Sequence, residues 1–332
     1  MTATGIPHRR HVVLADGARL VGDLFPATGD RRGVAVVRTP YDARRHHPLA
    51  ASLARQGYDC LVQDVRGRHR SDGAWTPYDV EGADGAATLA DLREAGFDGP
   101  AVLYGASYAA HAALETARVA GPSLGVGAVV ALVPALGLHE TAYSGTGRPQ
   151  YRDRIGWWAR HGFGRSDDPP LSPDRLDRAA EVAHRESPVA AAAWLGWSDL
   201  PRRRAWHRLW ETGPLDLAGR YGAVGVPLLV VTGDRDPFDH HARALAAAWG
   251  ARYGPRAALL AGPWGHDLGI GTRDPRLRAA FDAAGTPGRR IAAWLAGTAG
   301  PEPGTTETLD TATRRWTPDT PGAAAVPLEG GR

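Results

Sequence analysis

Apolar positions along the chain fall into short blocks punctuated by turn residues, and the character of the blocks changes along the sequence. From His11 to Phe25 apolar and polar residues alternate about an Asp16-Gly17 pair, which predicts a β-hairpin. From Gly33 the blocks become continuous. Gly33 to Arg38, Tyr58 to Gln63, a block around Val102 and Val126 to Val133 read as buried strands. Between them lie segments of helical composition: Pro48 to Gln56, Tyr78 to Ala95, and an alanine-rich stretch from Ser107 to about Ala120. Buried strands alternating with helices at this spacing predict βαβ units in a mostly parallel sheet.

The rhythm breaks after Leu138. To about Leu217 no apolar strand is evident, and helices are expected around Asp174 to Arg185 and Ala190 to Trp210. Strand-like blocks return at Val226 to Val231 and Ala257 to Ala261, followed by a helix over Gly288 to Leu295. The expected organisation is therefore a core from residues 1–138 and 218–298, a helical cap at 139–217, and a Pro/Gly-rich, loosely docked tail at 299–332. No internal repeat is present.

One junction carries chemistry. Val102-Leu-Tyr-Gly-Ala-Ser107-Tyr-Ala-Ala is an apolar strand running into Gly-x-Ser and then a helix. A serine held on so tight a strand-to-helix turn stands exposed at the edge of a sheet, facing the positive end of the helix that follows. A serine hydroxyl needs a base to take its proton and an acid to orient that base. On sheets of this kind the order is nucleophile, acid, histidine, each on a loop after a strand. The chain supplies Thr232-Gly-Asp-Arg-Asp236-Pro after one late strand and Gly262-Pro-Trp-Gly-His266 after the next. Ser107, Asp236 and His266 are the expected catalytic set, with Asp234 and then Asp239 as the competing acids.

Composition narrows the picture little. An apolar share of 43% with 23% charged residues is ordinary for a globular protein. All basic side chains are arginine, the net charge is only +3, and the densest run is Arg202 to Arg204, so no nucleic-acid partner is expected. The start lacks the apolar core of a signal peptide and nothing resembles a membrane span, so the expected location is cytoplasmic. The single cysteine, Cys60, lies in a strand and reads as a core thiol. His46-His47 and His240-His241 are adjacent pairs without the spacing of a zinc helix, and no phosphate loop or dinucleotide fingerprint is present. Neither metal nor cofactor is expected. Oligomeric state is open, a homodimer being one arrangement.

The chain resembles the cocaine-esterase and X-Pro dipeptidyl-peptidase family of α/β-hydrolases, which also includes α-amino-acid ester hydrolases. The matching pieces are Arg38-Thr-Pro-Tyr41, Gln63-Asp-Val-Arg-Gly-Arg68, Ser71-Asp-Gly73, Gly105-Ala-Ser-Tyr108, Gly233-Asp-Arg-Asp236 and Gly262-Pro-Trp-Gly-His266. The resemblance implies an α/β-hydrolase fold. It also implies an oxyanion site made by the Tyr41 hydroxyl and the backbone N–H of Tyr108. The Asp64-to-Gly73 motif reads as a turn held by ion pairs. Two departures stand out: Ala110 occupies a position usually held by glycine, and the chain is too short for the C-terminal jelly-roll domain that helps wall the site in many relatives.

The cap contains Trp157, Trp158, Trp194, Trp197, Trp206 and Trp210. As a set they suggest a lid with an aromatic inner face, suited to an apolar or aromatic acyl group. Trp157, Trp158 and Trp194, with Trp264 of the histidine motif, are the candidate substrate contacts. The expected function is a serine hydrolase cleaving a small-molecule ester or amide. An acyltransferase or cyclase with a non-water acceptor, or an idle binding protein on the same fold, are the alternatives.

Overall fold

The Asp16-Gly17 pair makes the turn that its sequence predicts. In the computed structural model, which describes residues 7–319, both residues take positive φ, 46° and 74°. Such a turn matches the twist of the strands it joins, here β1 (Arg9–Ala15) and β2 (Ala18–Phe25), with Ala15 opposite Ala18. The hairpin is one end of a ten-stranded sheet in the order β1-β2-β4-β3-β5-β6-β7-β8-β9-β10. From β4 (Tyr58–Asp64) and β3 (Gly33–Thr39) through β5 (Ala101–Ala106), β6 (Val126–Leu132), β7 (Leu228–Val231) and β8 (Ala257–Ala261), every pairing is parallel.

Continuous apolar strands demand cover on both faces, and the helices provide it. Leu103 of β5 shares one core with Leu89 of α2 (Glu81–Glu94), Leu114 of α3 (Tyr108–Ala120) and Leu245 of a later helix, Asp239–Ala248. Val102, pointing to the other face, joins Leu53 of α1 (His47–Arg55) and residues of two C-terminal helices, Pro275–Ala284 and Pro287–Leu295. Cys60 is buried in that second core, and burial pushes its thiol pKa up, so it stays protonated.

Between β6 and β7 the chain forms α4 (Leu138–Ala142), α5 (Tyr151–Trp157), α6 (Pro173–Arg185), α7 (Pro188–Leu195), α8 (Leu200–Glu211) and α9 (Leu217–Tyr221). These helices build a core of their own around Ile155, Trp158, Trp197, Trp206 and Leu209. The single helix expected over residues 190–210 is in fact two. Gly196 takes a left-handed conformation (φ 81°) that ends α7, and the Asp199 carboxylate caps α8 by accepting the Arg202 N–H at 3.0 Å.

Part of the tail expected to be mobile or loosely docked pairs with the sheet. β9 (Thr306–Asp310) pairs parallel with β8, and β10 (Arg315–Pro318) pairs antiparallel with β9. Leu309 is buried on the sheet, Trp316 reaches Trp264 with ring centres 6.0 Å apart, and Glu307 pairs with Arg290 at 2.6 Å. The rest of the expected tail, residues 320–332, lies outside the described residues. No helix among the described residues is long and apolar enough to cross a membrane.

Candidate active site

Ser107 stands at the C-terminal end of β5 with φ 56° and ψ −122°, a conformation that costs a non-glycine residue about 1–3 kcal/mol. The surroundings impose it. Its N–H donates to the Leu132 carbonyl at 2.9 Å and its own carbonyl accepts from the Ala110 N–H at 3.0 Å. A side chain at Gly105 would collide with the backbone of Ala109 and Ala110, so only glycine lets strand and helix approach this closely. α3 begins at Tyr108, whose N–H, like every first-turn N–H, has no acceptor within its helix. The Tyr108 ring is fully buried beneath the turn. Its hydroxyl donates to the buried Glu81 carboxylate and accepts the Tyr78 N–H at 2.8 Å. Burial first, and then Glu81, hold the Tyr108 phenol well above its usual pKa. That side chain anchors the elbow from below.

The loops after β7 and β8 bring the other two residues together. His266 Nδ1 lies 2.9 Å from Asp236 Oδ1, which also accepts the Phe238 N–H at 3.3 Å. Asp236 is buried, whereas the His266 side chain is 40% exposed. The competing acids are engaged elsewhere: Asp234 lies exposed beside Arg235 at 3.7 Å, and Asp239 accepts from Thr232 at 3.0 Å and pairs with Arg243. Ser107 and His266 line one cavity of about 460 Å³, closed on its far side by α5 of the cap and lined also by Tyr78, Trp157 and Phe238.

Tyr41 follows β3, and its phenol oxygen accepts the Trp157 indole N–H at 3.0 Å. Burial raises the phenol pKa, and contacts with Trp157 and the Ser107 side chain only partly offset this. A phenol that accepts from an indole keeps its own proton free to donate. The indole thus ties the cap to the core.

Of the four tryptophans expected to touch substrate, only Trp157 lines the cavity. Trp158 is buried inside the cap core, and Trp194 is 45% exposed on the surface. Trp264 is buried between the acid and histidine loops. A side chain at Gly233 or Gly262 would strike it, and its carbonyl accepts the Arg235 N–H at 3.1 Å. It fastens one loop to the other. Trp264→Ala is expected to destabilise the fold by about 3–5 kcal/mol in urea titration; a change under about 1 kcal/mol would contradict this packing role.

The Asp64-to-Gly73 motif is held by ion pairs, Arg70 with Asp64 at 2.8 Å and Arg66 with Asp84 at 2.5 Å. Arg68 adds what the sequence did not suggest, a bond to Asp167 of the cap at 2.5 Å and another to the Gly164 carbonyl. Among the described residues, His8, Asp23 and His47 have ligating atoms within 4.8 Å of one another. Arg70 already sits 2.9 Å from the Asp23 carboxylate, and His47 meets it at 2.8 Å, so a fixed cation neutralises that acid. Arg154 and Tyr78, which also line the cavity, are not singled out by any motif in the sequence.

A serine after the central strand, an acid after the next strand but one and a histidine after its neighbour, on a parallel sheet covered by helices, define an α/β-hydrolase. The chain superposes on an α-amino acid ester hydrolase with a TM-score of 0.68 at 16% identity, over 96% of this chain and 59% of that one. An esterase from Rhodococcus sp. ECU1013 gives a TM-score of 0.54 at 16% identity, over 88% and 99% of the two chains. The chain belongs to the X-Pro dipeptidyl-peptidase (S15) family, whose sequence model matches residues 16–267. It is 26% identical over 283 residues to the cocaine esterase of Rhodococcus sp. (strain MB1 Bresler), a match that covers 77% of this chain and 48% of the esterase. The chain thus spans about half the length of that curated relative.

Proposed function

We propose that this protein is a serine hydrolase that cleaves a small ester or amide through an acyl-enzyme on Ser107. The observation that carries the reading is that His266, 2.9 Å from the buried Asp236, lines the same cavity as a serine held at positive φ. Membership of a peptidase family and the kinship to a cocaine esterase support it. His266 Nε2 takes the proton of Ser107 Oγ as that oxygen attacks the carbonyl carbon. The imidazolium then returns the proton to the leaving group as the acyl bond breaks, and water repeats the sequence to free the acid. Asp236 keeps Nδ1 protonated and stabilises the imidazolium. The negative oxygen of each tetrahedral intermediate is held by the Tyr41 hydroxyl and the Tyr108 N–H. The exposure of the His266 side chain favours water as the acceptor over transfer to a second substrate.

A fluorophosphonate probe tests the reading. It is expected to add to the peptide containing Ser107 in the native protein and to leave Ser107→Ala unlabelled; absence of any adduct on the native protein would sink the proposal. Tyr41→Phe removes one oxyanion donor and spares the ring. It is expected to lower kcat by about 10²–10³-fold with little change in KM. An equal rate would remove Tyr41 from the oxyanion site.

A further inference from the structure

Arg154 is the charged group that nothing so far explains. It lies on α5 three residues before Trp157, so the two share the helix face that lines the cavity beside Ser107. Its side chain is buried, and its Nε has no hydrogen-bond partner among the described residues. No carboxylate among the described residues lies within ion-pair distance of it. The other cavity arginines each face a carboxylate: Arg152 meets Asp177 at 2.5 Å, and Arg160, whose Nε also lacks a hydrogen bond, lies 3.9 Å from Asp167. What Arg154 does have is the Phe238 ring, with the guanidinium carbon 5.5 Å from its centre. Asp153, its neighbour in sequence, also lines the cavity but is exposed.

Burying a guanidinium is unfavourable unless a counter-charge completes it, and one ring face recovers only part of the lost hydration. Burial is also the main influence lowering the Arg154 pKa, yet arginine stays charged at neutral pH. The planar fork of the side chain matches a carboxylate in two parallel hydrogen bonds. We infer that Arg154 is a specificity-determining residue that binds a carboxylate on the substrate, so that the preferred ester or amide is anionic. This rests on the serine hydrolase reading for its chemistry, and it revises the expected apolar or aromatic substrate to one that also bears a negative charge, on either its acyl or its leaving group.

Two matched pairs of esters test it. 4-Nitrophenyl hydrogen adipate against 4-nitrophenyl hexanoate places a carboxylate or a methyl at the far end of the acyl chain. 4-Carboxyphenyl hexanoate against 4-methylphenyl hexanoate does the same on the leaving group. The native protein is expected to prefer one anionic ester by about ten- to a hundred-fold in kcat/KM. Arg154→Gln should abolish that preference while still hydrolysing the neutral esters, and Arg154→Lys should keep part of it. Titrating the same esters calorimetrically into Ser107→Ala measures binding without turnover. If no ester is cleaved, the hydrolase reading fails while this titration still decides the anion site. Thermal melting supplies a readout that a structural arginine would move the other way: Arg154→Gln, freed of an uncompensated charge, should melt no lower than the native protein. Equal binding and turnover of charged and neutral esters, or a preference that survives in Arg154→Gln, would overturn the inference. A destabilised Arg154→Gln would count against it as well.

Discussion

Replacing Ser107 with alanine is expected to lower kcat on an activated ester by on the order of 10⁶-fold, and removing His266 as well should add almost nothing. In the proposed mechanism serine and histidine work as one unit: without the base the hydroxyl is a weak nucleophile, and without the hydroxyl the base has no proton to take. Ser107→Ala, His266→Ala and the double variant should therefore share nearly the same residual rate, with their fold intact by circular dichroism. On the proposed mechanism the residual rate would belong to Tyr41 and the Tyr108 N–H, which would still polarise a bound carbonyl for attack by water. Independent losses that multiply in the double variant would show that the two residues do not act on the same proton.

Asp236→Asn is expected to cost about 10⁴-fold in kcat. The substitution changes almost no volume, yet the amide it introduces would present either a neutral oxygen or an N–H to His266 Nδ1. The first removes the charge that stabilises the imidazolium, and the second reverses the tautomer and leaves Nε2 protonated, unable to take the serine's proton. Asp236 is buried with its Oδ1 already 2.9 Å from the ring, so no water can easily take over its role. Asp234→Asn is the paired control. Its carboxylate is exposed beside Arg235, and the rate should be unchanged within about two-fold. A small effect at 236 and a large one at 234 would reassign the acid.

Much of this site could be read from residue order. Gly105 and the alanines around Ser107 are small because strand and helix meet there at backbone distance, and that requirement is local. The acid and histidine loops each follow a continuous apolar block, the commonest signature of a buried parallel strand. Arg154 was not legible for the opposite reason. Tyr151-Arg-Asp-Arg-Ile-Gly-Trp157 alternates charge in the manner of a solvated helix, and only the packing of α5 against α4 and α6 beside the cavity turns one of its arginines inward. β9 was hidden because Thr306-Glu-Thr-Leu-Asp310 has a single apolar residue, enough for a strand near a sheet edge but too little for a periodic signal. The break between α7 and α8 was visible in Gly196, Asp199 and Pro201, but the surrounding alanine and tryptophan obscured it. Trp264 misled because an aromatic residue beside a catalytic histidine invites a ligand, whereas here the two glycines facing it define its slot.

The pairing of β9 with β8 has a consequence for the order in which the protein is made. β8 leads directly into the loop that carries His266, and until Thr306–Asp310 has left the ribosome that strand has an open flank. The elbow at Ser107 lies far upstream, and its supporting strands β3, β4 and β6 are all synthesised early. A nascent chain therefore carries its strained serine well before the strand leading to His266 is flanked on both sides. On the proposed mechanism, a chain released before β9 is made would hold the serine beside a histidine loop whose supporting strand is still open on one flank.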